Sequence, residues 1–570
     1  MTEAGTSGLD PITFELVHAA LLSVAEEMGA VLKRSSYSPI IREMEDFSCA
    51  LFDARGKLVV QADYIPAQLG AMSLVVESTL DRWGRAIEPG DVFLANHPYM
   101  GCMHTPDLNV LLPIFIDGRL FAWAGTTAHH IDVGGVNPGS EGPSLRSVYA
   151  EGLLFPPTRL YRSDQENRDV FELIATNVRD PLATLGDLRA QRAACLLGRR
   201  RLEDVVQRYG APTVRRTFTQ ALARAERATR IALAALPDGE GEAEGYLDDD
   251  AIGGPPVRIH ARLVKGGDRL LVDLSGTAPQ VGGAMNVPWA STRASVLFLV
   301  RAIADPDLVT NDGILNPLEI VCPRGTILNP DPPAAVSVRH NTCQRLADVL
   351  LEAAWSIWPE RAVGSSTVTF VGMSVEGVSP KTGRPAIITD VIGGGTGGHR
   401  WDDGLDGVDT YLANVALLPV EVAETEYSVR INRTELIPGS QGRGEHDGGL
   451  GLRRDYEVLG TAHTATVYCE QTNPDFTPRG VLGGTDGAPS RLTIFGPDGR
   501  VIPTPSKVTM VLEPGSVIRL ETSGGGGYGD PAMREPGAAK ADREDGRLGR
   551  ATRRGRTKAA RPGRPPQKGT

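Results

Sequence analysis

Apolar residues at Ile12, Leu16, Val17, Ala20, Leu21, Val24 and Met28 follow the three-and-four spacing of one helix face. They predict a helix from residue 11 to about 32, with Asp10 as its N-cap and Pro11 in its first turn. The period then shortens. Strands are predicted at 48–52 and 57–61 around the turn Asp53-Ala54-Arg55-Gly56, which reads as a hairpin. A second helix is expected at 71–83, then strands at 92–95, 108–116 and 120–127. Asp117-Gly118 is a two-residue hairpin turn joining the last two strands. Pro113 inside the first of them predicts an edge strand or a bulge.

Residues 166–236 read as helical and charged, with one break at Gly210-Ala211-Pro212. Strands are predicted at 257–264, 270–275 and 387–392, and helices at 291–303 and 344–357. The stretch 421–531 is strand-like and glycine-rich and ends in SGGGGYGDP. This alternation predicts an α/β (mixed α+β) chain built around β-hairpins. Residues 1–240 form an N-terminal α/β region with long helices, 241–420 a middle α/β region and 421–531 a β-rich, glycine-rich region. From 532 to 570 the sequence turns basic and has almost no large apolar residues, so a disordered tail is expected there.

Composition narrows this picture. A chain of 570 residues exceeds one ordinary core, and its 41% hydrophobic and 23% charged residues are globular values. The net charge is −11, yet the last 39 residues carry twelve Lys or Arg against four Asp or Glu. The rest of the chain is therefore strongly acidic, which argues against nucleic acid as a partner. Six scattered cysteines without a CxxC pair read as reduced thiols. The N-terminus lacks a basic and apolar leader, and no apolar run approaches the roughly 20 residues that cross a bilayer. A cytoplasmic protein with no membrane partner is expected.

Candidate chemistry concentrates between Asn96 and Asp132, which hold His97, His104, Asp107, His129, His130 and Asp132. Four of the ten histidines fall in this window. The predicted hairpin returns the chain to its start and brings His129 or His130 beside His104 and Asp107. Imidazole and carboxylate together suit Zn, Mn or Fe(II), and three ligands with an open position suit a catalytic metal. The plainer reading makes them hydrogen-bonding loop residues. His130 and Asp132 are the candidate catalytic groups beside the metal, and Asp132 and His97 are candidates for orienting its ligands.

Other motifs point to less. GxGxxG occurs at Gly393/Gly395/Gly398 and Gly524/Gly526/Gly529, but no helix pattern follows either. These stretches read better as tight packing turns than as anion cradles. GxxxxGK[ST] and GxSxG are absent. Cys102 reads as inert packing and Asp248-Asp249-Asp250 as a solvated turn.

With these residues in view, the chain resembles the hydantoinase B/oxoprolinase family, which also includes the α subunit of acetone carboxylase. The resemblance runs from about residue 10 to 531. It rests on DPITFELV, SYSPIIREMEDFSCALFD, QADYIPAQLGAM, NHPYMGCMHTPDLNV, HHIDVGG, GDLRAQRAA, VDLSGTAPQ, GGGTGG and GGGGYGDP. It implies a subunit that works with an actin-like ATPase partner in a hetero-oligomer, ATP being used in trans to phosphorylate a small cyclic amide such as 5-oxoproline or a hydantoin. This chain would then open the ring; the alternative is the metal-containing subunit of a ketone carboxylase. By motif position the resemblance assigns His104, Asp107 and His129 to the metal, with His130 the neighbouring alternative. The sequence departs from the family pattern at His97, usually Asp, and at Gln68, often His. The first exchange alters the charge near the expected metal and the second removes an imidazole.

Overall fold

A computed structural model describes residues 9–549 apart from 63 and 69. Helix α1 (Pro11–Ser35) begins as expected, with the Asp10 carboxylate accepting from the Thr13 N–H at 3.0 Å. Its buried face is Phe14, Val17, Leu21, Val24, Met28 and Leu32. Ile12 and Leu16 lie off that face and are 73% and 54% exposed. A short helix, α2 (Pro39–Arg42), leads into the hairpin β1 (Phe47–Asp53) and β2 (Leu58–Ala62). Helix α3 (Met72–Trp83) is followed by β3 (Val92–Ala95), β4 (Asp107–Ile116), β5 (Arg119–His129), β6 (Thr158–Arg162) and β7 (Gln165–Glu166). These strands form one antiparallel sheet in the order β2-β1-β5-β4-β3-β6-β7.

Pro113 therefore lies on an interior strand. Its lost N–H is tolerated because β3 pairs with β4 only from Asn109 to Leu111, leaving Pro113 a strand partner on the β5 side alone. The expected irregularity appears one step on, as a register shift between Ile114 and Phe115.

The helical stretch has two breaks, giving α4 (Arg168–Asn177), α5 (Pro181–Tyr209) and α6 (Ala211–Ala234). The additional break carries the same Asp-Pro signature as α1, with the Asp180 carboxylate accepting from Ala183 N–H at 3.0 Å. α5 packs on α1 and on β4 and β5. Gly198 permits the close approach, since a Cβ there would lie 2.5 Å from Met28 Sδ.

The second sheet contains β8 (Gly239–Leu247), β9 (Val257–Gly266), β10 (Arg269–Asp273) and, after α7 (Trp289–Ile303), β11 (Leu318–Val321). Helix α8 (Arg339–Ile357) packs against β8 and β9. It begins five residues before the expected start, which brings Arg339 and His340 onto its first turn.

A third sheet, β13-β12-β16-β19, joins β12 (Val371–Val378), β13 (Pro385–Ile392), β16 (His463–Tyr468) and β19 (Lys507–Leu512). After the short α9 (Val420–Glu426), a fourth sheet is built from β14 (Val429–Leu436), β15 (Leu452–Val458), β17 (Arg491–Phe495), β18 (Val501–Ile502) and β20 (Val517–Glu521).

Between these sheets the glycine runs pack backbone against backbone. Gly398 N–H donates to Gly526 O at 2.9 Å, Gly526 N–H to Ser365 O at 2.8 Å and Gly449 N–H to Thr396 O at 2.8 Å. These donors are spent on neighbouring chain segments, so the runs form packed layers and not phosphate cradles. Asp248 is half-buried, and its carboxylate accepts from both the N–H and the hydroxyl of Thr472. It is a tertiary staple where a solvated turn was expected.

The expected disorder from 532 onward is corrected over its first part. Residues 532–549 include helix α10 (Pro536–Glu544), and Arg534 lies buried against Asp403 and Asp542. Ion pairing anchors this segment where apolar burial does not. Residues 550–570 lie outside the described residues. Among the described residues, no helix is long and apolar enough to cross a membrane.

Candidate metal centre

Strand pairing assembles the site. In the β4–β5 ladder Asp107 is the register partner of His129, and the His129 N–H donates to Asp46 O, just before β1, at 3.0 Å. Asp46, His129 and Asp107 thus form a row across three adjacent strand ends. His104, in the turn before β4, completes the group. Its Nε2 lies 3.0 Å from Asp107 Oδ1, and His129 Nδ1 lies 3.2 Å from the same oxygen.

The supporting contacts come from distant parts of the chain. His104 Nδ1–H donates to the Ser337 carbonyl at 3.0 Å, which turns Nε2 toward Asp107. Arg339 Nη2 donates to Asp107 Oδ2 at 3.1 Å. Glu141 Oε1 lies 3.7 Å from His104 Nδ1, and the Tyr468 hydroxyl donates to Glu141 Oε2 at 2.6 Å. Atoms of His104, His129 and Glu141 that could hold one ion all lie within 4.8 Å of one another. Glu151 secures the turns behind them by accepting from the Thr105 hydroxyl at 2.6 Å and from the Ser337 N–H at 2.8 Å.

These residues fit a divalent cation. Two ring nitrogens converge on one carboxylate oxygen, an arrangement that requires a proton or a cation between each nitrogen and the oxygen. Separations of 3.0 and 3.2 Å match neighbouring ligands of one ion bound at about 2.0–2.2 Å. The charges agree. Burial alone would raise the Asp107 carboxyl, yet His104, His129 and Arg339 hold it well below its usual range. Against burial, Asp107, Asp46 and Glu141 raise His129 to about 9. Burial pushes Asp46 up to about 6. A pocket that draws a proton to His129 this strongly draws a cation for the same reason.

The cluster opens on a cavity of about 70 Å³. Arg339, His340 and Gln344 of α8 supply one wall, and Gln68, Asp46 and Phe370 belong to others. Burial and the Arg339 charge keep His340 neutral, and its ring stacks on Phe370 at 4.9 Å.

Three residues from the sequence reading fall elsewhere. His130 points to the opposite face of the sheet, its Nε2 2.9 Å from Gln191 Oε1 on α5, because successive residues of an extended chain alternate faces. It belongs to the helix–sheet interface and not to the site. Asp132 accepts from the Gly134 and Arg179 N–H groups and from the Arg179 guanidinium, all at 2.9 Å, so it braces a loop. His97 lies against Tyr99 with ring centroids 6.2 Å apart, outside the cavity wall. The exchange at His97 therefore does not face the cluster, whereas Gln68 does line the cavity. Glu141 and Asp46 were missed. Asp46 stands within one of the family-like motifs, but nothing local marks it as a neighbour of His129.

A family model described as hydantoinase B/oxoprolinase matches residues 10–531. The chain is 35% identical over 564 residues to the B-type subunit of a putative D-/L-hydantoinase of a Pseudomonas species, covering 94% of this chain and 93% of that one. The crystal structure of an ATP-dependent caprolactamase from Pseudomonas jessenii superposes with a TM-score of 0.89 at 29% identity, covering 95% of each chain. A nucleotide-free acetone carboxylase shares the fold, with a TM-score of 0.85 at 19% identity over 94% of this chain and 78% of that one. The mixed α/β architecture is common to these structures. Match length and sequence identity agree: this chain belongs to the hydantoinase B/oxoprolinase family.

Proposed function

We propose that this chain is the B-type subunit of a cytoplasmic, ATP-dependent cyclic amidohydrolase that opens a lactam or hydantoin ring. A partner ATPase of actin-like fold phosphorylates the substrate, and the two subunits act as a hetero-oligomer. The observation that carries this reading is the convergence of His104, Asp107, His129 and Glu141 on one side of a cavity. Likeness to the B-type chain of a hydantoinase and to an ATP-dependent caprolactamase supports it.

His104, Asp107 and His129 would hold the metal, with Glu141 and Asp46 as further carboxylate donors. When bound, a divalent cation supplies Lewis acidity toward a carbonyl or phosphoryl oxygen. The protein's own groups preorganise the site. Ser337 O fixes the His104 tautomer, Arg339 clamps Asp107, and Tyr468 aims Glu141. The ring of His340, neutral and backed by Phe370, offers a hydrogen-bonding edge without adding charge. The apolar walls exclude bulk water from the activated amide.

The test is ring opening by the purified chain with and without the ATPase subunit. Hydrolysis that requires the partner and ATP is expected. ATP-independent hydrolysis by this chain alone contradicts the reading, and incorporation of labelled bicarbonate in place of hydrolysis would assign a carboxylase.

A further inference from the structure

The cavity wall beyond the metal candidates carries its own chemistry. Gln68 is 1% exposed and lines the cavity. Its Nε2 donates to Asp46 Oδ1 at 3.2 Å, so the amide is oriented with its nitrogen toward the carboxylate. Its Oε1 is left buried without a hydrogen-bond partner. An orphaned buried acceptor on a residue that lines a cavity calls for a donor. The Gln344 Oε1 on α8 is in the same condition.

Beyond Asp46 and Gln68 much of the wall is apolar. Ile40, Ile65, Phe370, Leu412 and Val415 line it, and the turn bearing Ile65 and Gln68 is tied to the Leu412 strap by the Ala67 N–H donating to Leu412 O at 2.8 Å. Among the described residues lining the cavity there is one guanidinium and no lysine. That guanidinium, Arg339, is already paired with Asp107. Apart from the metal that His104, Asp107 and His129 would hold, a carboxylate on the substrate ring would therefore meet hydrocarbon or the carboxylates of Asp46 and Glu141, with no side-chain cation left to receive it.

We propose that Gln68 and this apolar wall form a specificity subsite for an uncharged cyclic amide, with Gln68 Oε1 accepting the ring N–H, and that it disfavours rings bearing a carboxylate. The subsite rests on the cyclic-amide reading and narrows it. The ring nitrogen bears its hydrogen in the free amide and regains it when water adds across the activated C=N bond. The acceptor is thus matched to the free amide and to the hydrated intermediate, and not to the phosphorylated form between them.

The test is calorimetric binding of δ-valerolactam, N-methyl-δ-valerolactam and 5-oxoproline to the full chain, followed by turnover with the ATPase partner. δ-Valerolactam is expected to bind about tenfold more tightly than either of the others. Gln68→Leu should shrink its advantage over the N-methyl compound to about twofold or less. Gln68→Met repeats the measurement should the leucine variant misfold, and the comparison on the unsubstituted chain depends on no variant. Equal or tighter binding of 5-oxoproline, or an N-methyl discrimination that survives both variants, overturns the subsite. If δ-valerolactam binds as expected but is not opened, the subsite stands and the ring-opening reading falls. If 5-oxoproline is opened fastest, the reverse holds.

Discussion

Asp107 and His129 face each other as register partners at the open end of a hairpin, and their side chains meet at 3.2 Å. Two strands and a two-residue turn suffice to bring them together. Asp107→Asn keeps the shape of this contact but removes the charge that two imidazoles and one guanidinium share. Bound divalent metal, measured by mass spectrometry after dialysis, is expected to fall by at least tenfold in affinity, roughly the lower limit for disturbing a metal's surroundings. Ring opening should fall with it. Full metal occupancy in the variant would show that Asp107 only steadies the histidines.

Tyr468 reaches Glu141 across 327 positions of sequence, its hydroxyl donating to Oε2 at 2.6 Å. Tyr468→Phe removes one hydrogen bond and leaves the ring packing intact. A stability loss of about 1–2 kcal/mol is expected, together with a metal affinity roughly tenfold weaker. Gly372→Ala should produce a similar loss by a different route, since its Cβ would lie 2.2–2.3 Å from the Tyr468 ring and displace it. Metal titration of both variants checks this; unchanged affinity in Tyr468→Phe would remove Glu141 from the metal's surroundings.

These contacts also explain what could be read from the chain and what could not. The β4–β5 hairpin was legible because its turn and its alternation are local, and the same alternation separates His129 from His130 once the register is known. Glu141 was not legible, because its partners His104 and Tyr468 arrive from two other regions of the chain. Asp46 meets His129 only through the pairing of β1 with β5. Arg339 and His340 required the true start of α8, which no cap residue announces. The basic segment at 532–549 looked disordered because composition counts apolar area, and its anchor is ionic.

Asp409 should make stability depend on pH. Burial, reinforced by the Asp46 charge, raises its carboxyl from 3.8 to about 7, although the Thr410 and Val415 N–H groups donate to it. For an acid raised in the folded state, the favourable contribution is complete below the unfolded value and is lost as pH rises through the folded one. Asp409 therefore destabilises the protein progressively between about pH 4 and pH 8. Asp409→Asn removes that dependence. The difference between variant and wild type should move in the variant's favour by on the order of 4 kcal/mol over that range in urea unfolding. A difference that does not change with pH would mean that Asp409 titrates at its ordinary value.

The glycine layers make a steric claim. A Cβ at Gly449 would lie 1.8 Å from the Leu405 carbonyl oxygen, and one at Gly397 would lie 1.7 Å from that of Gly364. Backbone cannot swing aside as a side-chain tip can. Gly449→Ala and Gly397→Ala are each expected to cost more than about 3 kcal/mol, or to prevent folding. Gly266→Ala, on a strand end with open space around the new methyl, should stay within about 0.5 kcal/mol of wild type. Thermal unfolding of the three variants separates packed layers from merely flexible loops.

The C-terminal segment supplies the last case. Arg534 is 8% exposed, and its guanidinium bonds both Asp403 oxygens at 2.7 Å and Asp542 Oδ2 at 2.9 Å. Arg547 adds a two-point contact with Asp406 at 2.6 and 2.9 Å. Removing Arg534 leaves Asp403, Asp447 and Asp542 facing one another with less compensation, because Asp447 also lies within 3.6 Å of the same guanidinium. Arg534→Ala is therefore expected to cost about 3–5 kcal/mol, the range for breaking a buried pair from one side. Arg534→Lys should recover only part of this, because one ammonium cannot span both carboxylates in the same planar geometry. Truncation after residue 549 tests the boundary from the other side: it keeps Arg534, Asp542 and Arg547 and should leave the unfolding midpoint unchanged. Truncation after residue 533 removes all three and should lower that midpoint as far as Arg534→Ala does, or further. Equal midpoints for the two truncations would mean that the ionic anchor contributes nothing to the fold.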